Sequence, residues 1–231
     1  MRNVKSILYA HGLGGSPGSA KAVLMQRHFA GLGLQVFCPS LAVPSFENLS
    51  PLAACELLAN ELSVESRQPL VVIASSFGAF LALHALQRAP REAAPPVLVL
   101  LAPVTDPWRG EHTLLTPQVE AQWREQGSLP LTDLAKQQEV RVHYRFVEEL
   151  YALGACREIE HVPTLIVHGR SDEVVSVEQS REYTAKCAGV TLVTVDDDHG
   201  LLAQPAELVE LIERFVSSKT VEVSKDKGVV E

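Results

Sequence analysis

A chain of 231 residues with 46% apolar and 21% charged side chains can bury one sizeable core and is neither disordered nor fibrous. Its 28 acidic and 20 basic residues give a formal net charge of -8, and no basic stripe interleaved with aromatics appears, which argues against a nucleic-acid partner. Cys38, Cys55, Cys156 and Cys187 form neither a CxxC pair nor a dense framework, so free thiols in a cytoplasmic protein are expected, with no metal role.

The first apolar run, Ser6 to Ala10, reads as a buried strand. It breaks at His11-Gly12, too short for a signal peptide or a membrane span, so no membrane insertion is expected. A glycine-rich turn follows through Gly18, then a helical stripe of Ala22, Leu24, Met25, Phe29 and Leu32. Leu34 to Cys38 is a second short strand. Pro51 to Ser63 is a helix with proline near its first turn. Leu70 to Ala74 is the third strand, Phe77 to Arg88 the helix behind it, and Pro96 to Leu101 the fourth strand. Further strands are expected at Thr164 to His168 and Val190 to Val195, with helices over Val177 to Cys187 and Ala206 to Val216.

Strands that are apolar throughout, alternating with helices, predict an open, mostly parallel α/β sheet of about six strands with helices on both faces. The stretch 104–161 breaks the alternation. It carries helical patterns near Pro117 to Gln126 and over Leu134 to Leu153 and no clear strand, so it is read as a helical cap inserted into a single domain spanning 1–216. The tail 217–231 is charged and is expected to be mobile.

The chemistry centres on Ala74-Ser75-Ser76-Phe77-Gly78. A residue between a strand and a helix sits in a sharp turn that needs small neighbours. Ala74 and Gly78 flank Ser76 at the offsets of the G-x-S-x-G elbow, whereas Ile73 and Phe77 flank Ser75. The bland alternative is that both serines cap the following helix. A serine hydroxyl needs a base and something to orient that base. His199 follows the sixth strand and Asp172 the fifth, so all three lie at the carboxyl edge of the sheet, in the chain order Ser, Asp, His. Asp106, after the fourth strand, competes with Asp172 for the orienting role, and Asp196, Asp197 and Asp198 compete at closer range. The backbone N–H groups of Leu13 and Phe77 are candidate oxyanion donors. The glycine loop lacks the spacing of a dinucleotide or Walker motif, and His11 is expected to order it.

These residues resemble the α/β-hydrolase superfamily, and Tyr9-Ala-His-Gly-Leu-Gly-Gly-Ser-Pro-Gly-Ser-Ala-Lys21 is similar to the loop of small bacterial esterases related to YqiA. The resemblance implies Ser76 as nucleophile, Asp172 as acid, His199 as general base, Leu13 and Phe77 as oxyanion amides, and hydrolysis of an acyl bond without a cofactor. It departs from the smaller enzymes in the length of 104–161. The expected partner is a small acyl-containing substrate, a short or medium ester; a thioester, lactone or carbon-carbon bond, or a noncatalytic binding role, stays open, as does a homo-oligomer. Leu114, Leu115, Trp123, Leu129, Leu134, Phe146, Leu150, Tyr151 and Leu153 are read either as an acyl pocket or as packing of the inserted segment; Trp108 with Arg109 and Trp123 with Arg124 could meet a polar head group.

Overall fold

The computed structural model describes residues 4–64, 67–109, 115–159 and 162–226. Among the described residues six strands, β1 (Ser6–Ala10), β2 (Gln35–Phe37), β3 (Leu70–Ser75), β4 (Leu98–Leu101), β7 (Thr164–Gly169) and β8 (Val190–Val195), form one sheet in the order β2-β1-β3-β4-β7-β8. Every neighbouring pair is parallel. Two further strands, β5 (Ser128–Asp133) and β6 (Gln138–His143), make a separate antiparallel hairpin.

Period-two alternation divides the apolar strands between two cores. Leu8, Ala10, Val72, Ala74, Leu98, Leu100 and Ile166 point to one face, where α2 (Pro51–Leu62), α3 (Phe77–Arg88) and α6 (Val177–Lys186) pack. Ile7, Tyr9, Val71, Ile73, Val99, Leu101, Leu165 and Val167 point to the other, against α1 (Ala20–Gly31) and α7 (Pro205–Asp226). Each fully buried Val, Leu or Ile contributes about 1.5–3 kcal/mol relative to exposure. Both faces are therefore needed to hold the sheet, and the strands read as continuous apolar runs because neither face meets water.

The chain leaves β1 toward β2 and returns past it to β3, so the connections at the carboxyl ends of β1 and β3 diverge. Such a switch point opens a crevice in a parallel sheet.

The segment between β4 and β7 differs from its helical reading. α4 (Pro117–Gln126) forms as expected, capped by Thr116 Oγ1 accepting from Val119 N–H at 3.2 Å and ended by Gly127 at φ 69°. Beyond it, Leu134 to Leu153 is not one helix: β6 precedes α5 (Arg145–Leu153). Trp123, fully buried, donates from Nε1 to Val142 O at 2.8 Å and stacks on Phe146 at 5.6 Å. Trp123, Phe146 and Leu150 therefore form the core of the insertion and not a pocket wall. Arg124 reaches Glu120 and Tyr144, and Arg109 pairs with Glu182. Glu149 of α5 reaches the body, where its Oε2 accepts from Ser50 Oγ at 2.6 Å and from Leu52 N–H at 3.1 Å, satisfying the amino end of α2.

α7 continues past Val216 to Asp226, farther than the apolar pattern indicates. Leu114, His161 and the end of the tail, 227–231, lie outside the described residues. Among the described residues no helix is long and apolar enough to cross a membrane.

Candidate active site

β3 ends at Ser75 and α3 begins at Phe77, so Ser76 alone makes the turn. Its φ of 55° and ψ of -124° lie where a side chain is disfavoured. The turn is held by its neighbours: Ser76 N–H donates to Leu101 O at 2.9 Å, and Ser76 O accepts from Ala79 N–H at 3.0 Å and Val104 N–H at 3.2 Å. The Ser76 hydroxyl does not cap α3. It points into the crevice, 2.9 Å from His199 Nε2.

His199 Nδ1 in turn lies 2.7 Å from Asp172 Oδ2. The two loops that deliver these residues are stitched together, with Arg170 N–H on Val195 O at 2.8 Å and Ser171 N–H on Asp197 O at 3.1 Å. Gly169 allows this, since a Cβ there would stand 2.5 Å from Asp198 O. Asp172 Oδ1 accepts from Val174 N–H and Val175 N–H, each at 2.8 Å. Burial alone would raise this carboxyl, but hydrogen bonds from His168, His199 and Val175 outweigh it and hold Asp172 well below the usual carboxylate range.

The competing acids are engaged elsewhere. Asp106 Oδ1 accepts from Trp108 N–H at 3.0 Å. Asp196 pairs with Arg170, Asp197 accepts from Asp198 N–H and Ala203 N–H, and Asp198 accepts from Gly200 N–H, so all three shape their own loop.

The loop after β1 closes over Ser76, and a Cβ on Gly12 would stand 3.2 Å from Ser76 Cβ. His11, buried, stiffens this loop: Leu41 N–H donates to Nε2 at 3.1 Å, which leaves the ring proton on Nδ1 to reach Gly12 O at 2.9 Å. Burial lowers its pKa, which favours the neutral ring that this tautomer requires. Phe77 N–H, at the first position of α3, has no intrahelical acceptor.

Ser76 and His199 open on a cleft of about 540 Å³. Leu13, Phe77, Val104, Leu131, Leu134 and Val174 supply its apolar wall, and besides His199 the ionisable groups among its described lining are Asp106 and Glu173. Leu131 and Leu134 come from the hairpin, so the insertion forms one side of the cleft.

The match to a protein-family model runs from residue 6 to residue 216, across the whole sheet and into α7; that family is described as "Uncharacterised protein family (UPF0227)". The chain belongs to UPF0227. No curated protein matches this UPF0227 member. Among solved structures, mouse alpha/beta hydrolase domain-containing protein 10 is similar over 92% of this chain and 90% of its own, with 19% identity and a TM-score of 0.74. Est1E from Butyrivibrio proteoclasticus, solved with ferulic acid bound, is similar over 96% of this chain and 91% of its own, with 16% identity and a TM-score of 0.72. At such identities the likeness is one of fold. This UPF0227 member has the α/β-hydrolase fold, and its Ser76–His199–Asp172 arrangement is that of a serine-dependent hydrolase.

Two polar residues of this UPF0227 site have no role in the sequence reading. His168, fully buried at the end of β7, places Nε2 3.1 Å from Asp172 Oδ2. Lys21 on α1 donates from Nζ to His199 O at 2.9 Å and so steadies the loop from the opposite face of the sheet. Burial brings the Lys21 ammonium down to about 8, against the opposing pull of Asp172, Asp198 and Asp197.

Lys21 makes a linkage prediction. Between about pH 8 and the ordinary lysine value of about 10.4 the unfolded chain holds a proton that the folded chain has released, so the lysine's contribution to stability rises with pH across that window. Urea unfolding of native and Lys21→Met protein is expected to show the difference moving in favour of the native chain from pH 8 to 10.4; a difference flat with pH would refute the depressed lysine.

Proposed function

We propose that this chain is a serine-dependent carboxylic ester hydrolase in which Ser76 is the nucleophile, His199 the general base and Asp172 the orienting acid. The single observation that carries the reading is the chain of contacts from a strained Ser76 hydroxyl through both ring nitrogens of His199 to Asp172, opening on a cleft. His199 Nε2 takes the hydroxyl proton as Ser76 Oγ attacks the carbonyl carbon, then returns it to the leaving alcohol. Water attacks the acyl-enzyme by the same route in reverse and releases the acid. Asp172 stays ionised throughout and stabilises the imidazolium. The N–H groups of Leu13 and Phe77 meet the negative charge that develops on the carbonyl oxygen, each such donor lowering the barrier by about 3–4 kcal/mol.

The substrate reading is a short or medium, uncharged acyl group. An apolar wall with Asp106 and Glu173 in the lining favours such a group over a carboxylate or phosphate. The similarity of Tyr9 to Lys21 to YqiA-like esterase loops supports an ester, as does the carboxylic acid bound in Est1E. We take 104–161 as a cap over the cleft, within one domain spanning 1–216. The free cysteines, with burial pushing Cys38 up to about 11 and Cys55 up to about 12, suit a reducing cytoplasm.

The test is hydrolysis of a p-nitrophenyl ester series from acetyl to long acyl, with matched thioesters, beside labelling by a serine-reactive phosphonate. Turnover should peak at short to medium acyl chains, exceed that of the thioesters, and accompany one label on Ser76. The absence of both turnover and labelling would overturn the assignment.

A further inference from the structure

Asp172 Oδ2 is approached by two imidazoles: His199 Nδ1 at 2.7 Å from the cleft side and His168 Nε2 at 3.1 Å from the interior. His168 Nε2 also lies 2.9 Å from Val175 O. A carbonyl oxygen can only accept, so the His168 proton sits on Nε2 and is shared between Val175 O and Asp172 Oδ2. On the far side of the ring, Nδ1 lies 2.7 Å from Ser180 Oγ and, in the neutral ring, accepts that hydroxyl proton. The result is a symmetrical series of serine, imidazole, carboxylate oxygen, imidazole, serine. Only one end of it is open. His168 and Ser180 are 0% exposed, so no substrate reaches them and the inner arm does no chemistry of its own.

We propose that His168, backed by Ser180, is a positioning residue that shares the negative charge of Asp172 with His199 and so limits how tightly the carboxylate holds the catalytic imidazolium. The inference rests on the reading of His199 as the general base. A second donor on Oδ2 draws on the same lone pairs that the imidazolium uses, and hydrogen bonds to charged groups are the strong ones. Val174 N–H and Val175 N–H hold Oδ1, so removing the inner donor changes the charge available to His199 more than the place of the carboxylate. The other groups around the pair are Lys21 from α1, Asp197 and Asp198 on the His199 loop, and Asp106 and Glu173 in the cleft. None of them occupies the inner side of Oδ2 that His168 fills.

The experiment is the pH dependence of the rate at which a serine-reactive phosphonate labels Ser76, in the native chain and in His168→Phe, His168→Gln and Ser180→Ala. Without the inner donor, Oδ2 binds the imidazolium more firmly. The acid limb of the labelling rate is therefore expected to rise by about one pH unit in His168→Phe, a tenfold slower rate at a fixed pH below the limb. His168→Gln, whose amide N–H can replace the donor, should return it toward native. Ser180→Ala should move it the same way by a smaller step. A packing role alone would lower the melting temperature and leave the limb in place, so an unmoved limb in a folded His168→Phe overturns the proposal. If that variant does not fold, Ser180→Ala decides: a limb identical to native overturns it. A native chain that takes no label refutes the reading of the site itself, whereas labelling with no shift refutes only the role of His168.

Discussion

Ser76→Ala will lower kcat for any accepted ester by about 10⁴- to 10⁶-fold, equivalent to about 5–8 kcal/mol of transition-state stabilisation, while the melting temperature stays near native. The two halves of this expectation have separate causes. Ser76 Oγ reaches His199 and caps no helix amide, so its loss removes chemistry and leaves the packing intact. Alanine keeps the Cβ against which Gly12 lies, and the backbone bonds to Leu101, Ala79 and Val104 do not involve the hydroxyl. Ser76→Gly sharpens the test. Glycine relieves the disfavoured φ of 55°, so this variant should be equally inactive yet more stable than Ser76→Ala by about 1 kcal/mol. Wild-type turnover in either variant, compared at matched purity by kcat and thermal melting, would remove Ser76 from the mechanism.

Gly78→Ala carries the largest expected effect on stability. The first turn of α3 crosses the end of β1 so closely that a Cβ on Gly78 would stand 2.7 Å from the Ala10 carbonyl carbon and closer still to the Ala10 and His11 oxygens. These are backbone atoms, and no rotamer change clears them. To admit the methyl group, α3 must move off the sheet at the point where Phe77 N–H and the His11-Gly12 loop meet. A destabilisation of about 3 kcal/mol or more is expected, a fall in melting temperature of about 10 °C for a chain of this size. The same shift separates Ser76 from the loop after β1, so turnover should fall at temperatures where the variant is still folded. A melting temperature within two or three degrees of native, read by circular dichroism, would show that α3 yields more easily than its packing implies.

The positions of Ser76, Asp172 and His199 are legible in the sequence because a parallel sheet sends every strand's carboxyl end to one edge. Placing three residues just beyond three strands therefore places them together, and the expected bounds of β3, β7 and β8 need be right only to a residue or so. Asp172 is favoured over Asp106 by the resemblance alone, since both follow strands at the same edge; in the structure Asp172 Oδ2 lies 2.7 Å from His199 Nδ1, whereas Asp106 accepts from Trp108 N–H. The hairpin is hidden by an accident of spacing. Val142, Phe146 and Leu150 recur every four residues and imitate a helix across the junction of β6 and α5, while the alternation of Val140 and Val142 with Glu139 and Arg141 carries the strand signal. His168 is hidden for another reason. It reads as the polar end of a strand, and nothing in a linear sequence says that its ring turns back to meet the carboxylate four residues on.

The hairpin is fastened to the body where it matters for exchange between relatives. Leu134 N–H donates to Gly14 O at 2.9 Å, and a Cβ on Gly14 would stand 2.5 Å from Thr132 O, so β5 and the turn after it grip the loop that carries Leu13. The same few residues put Leu131 and Leu134 into the cleft wall. Grafting a foreign hairpin here would redraw the pocket and loosen the loop beside Ser76 in one step, so such chimeras should lose rate whenever they gain range. New selectivity in this scaffold is more accessible through point changes at Leu131 and Leu134, whose side chains face the cleft while the backbone clasp on Gly14 is kept.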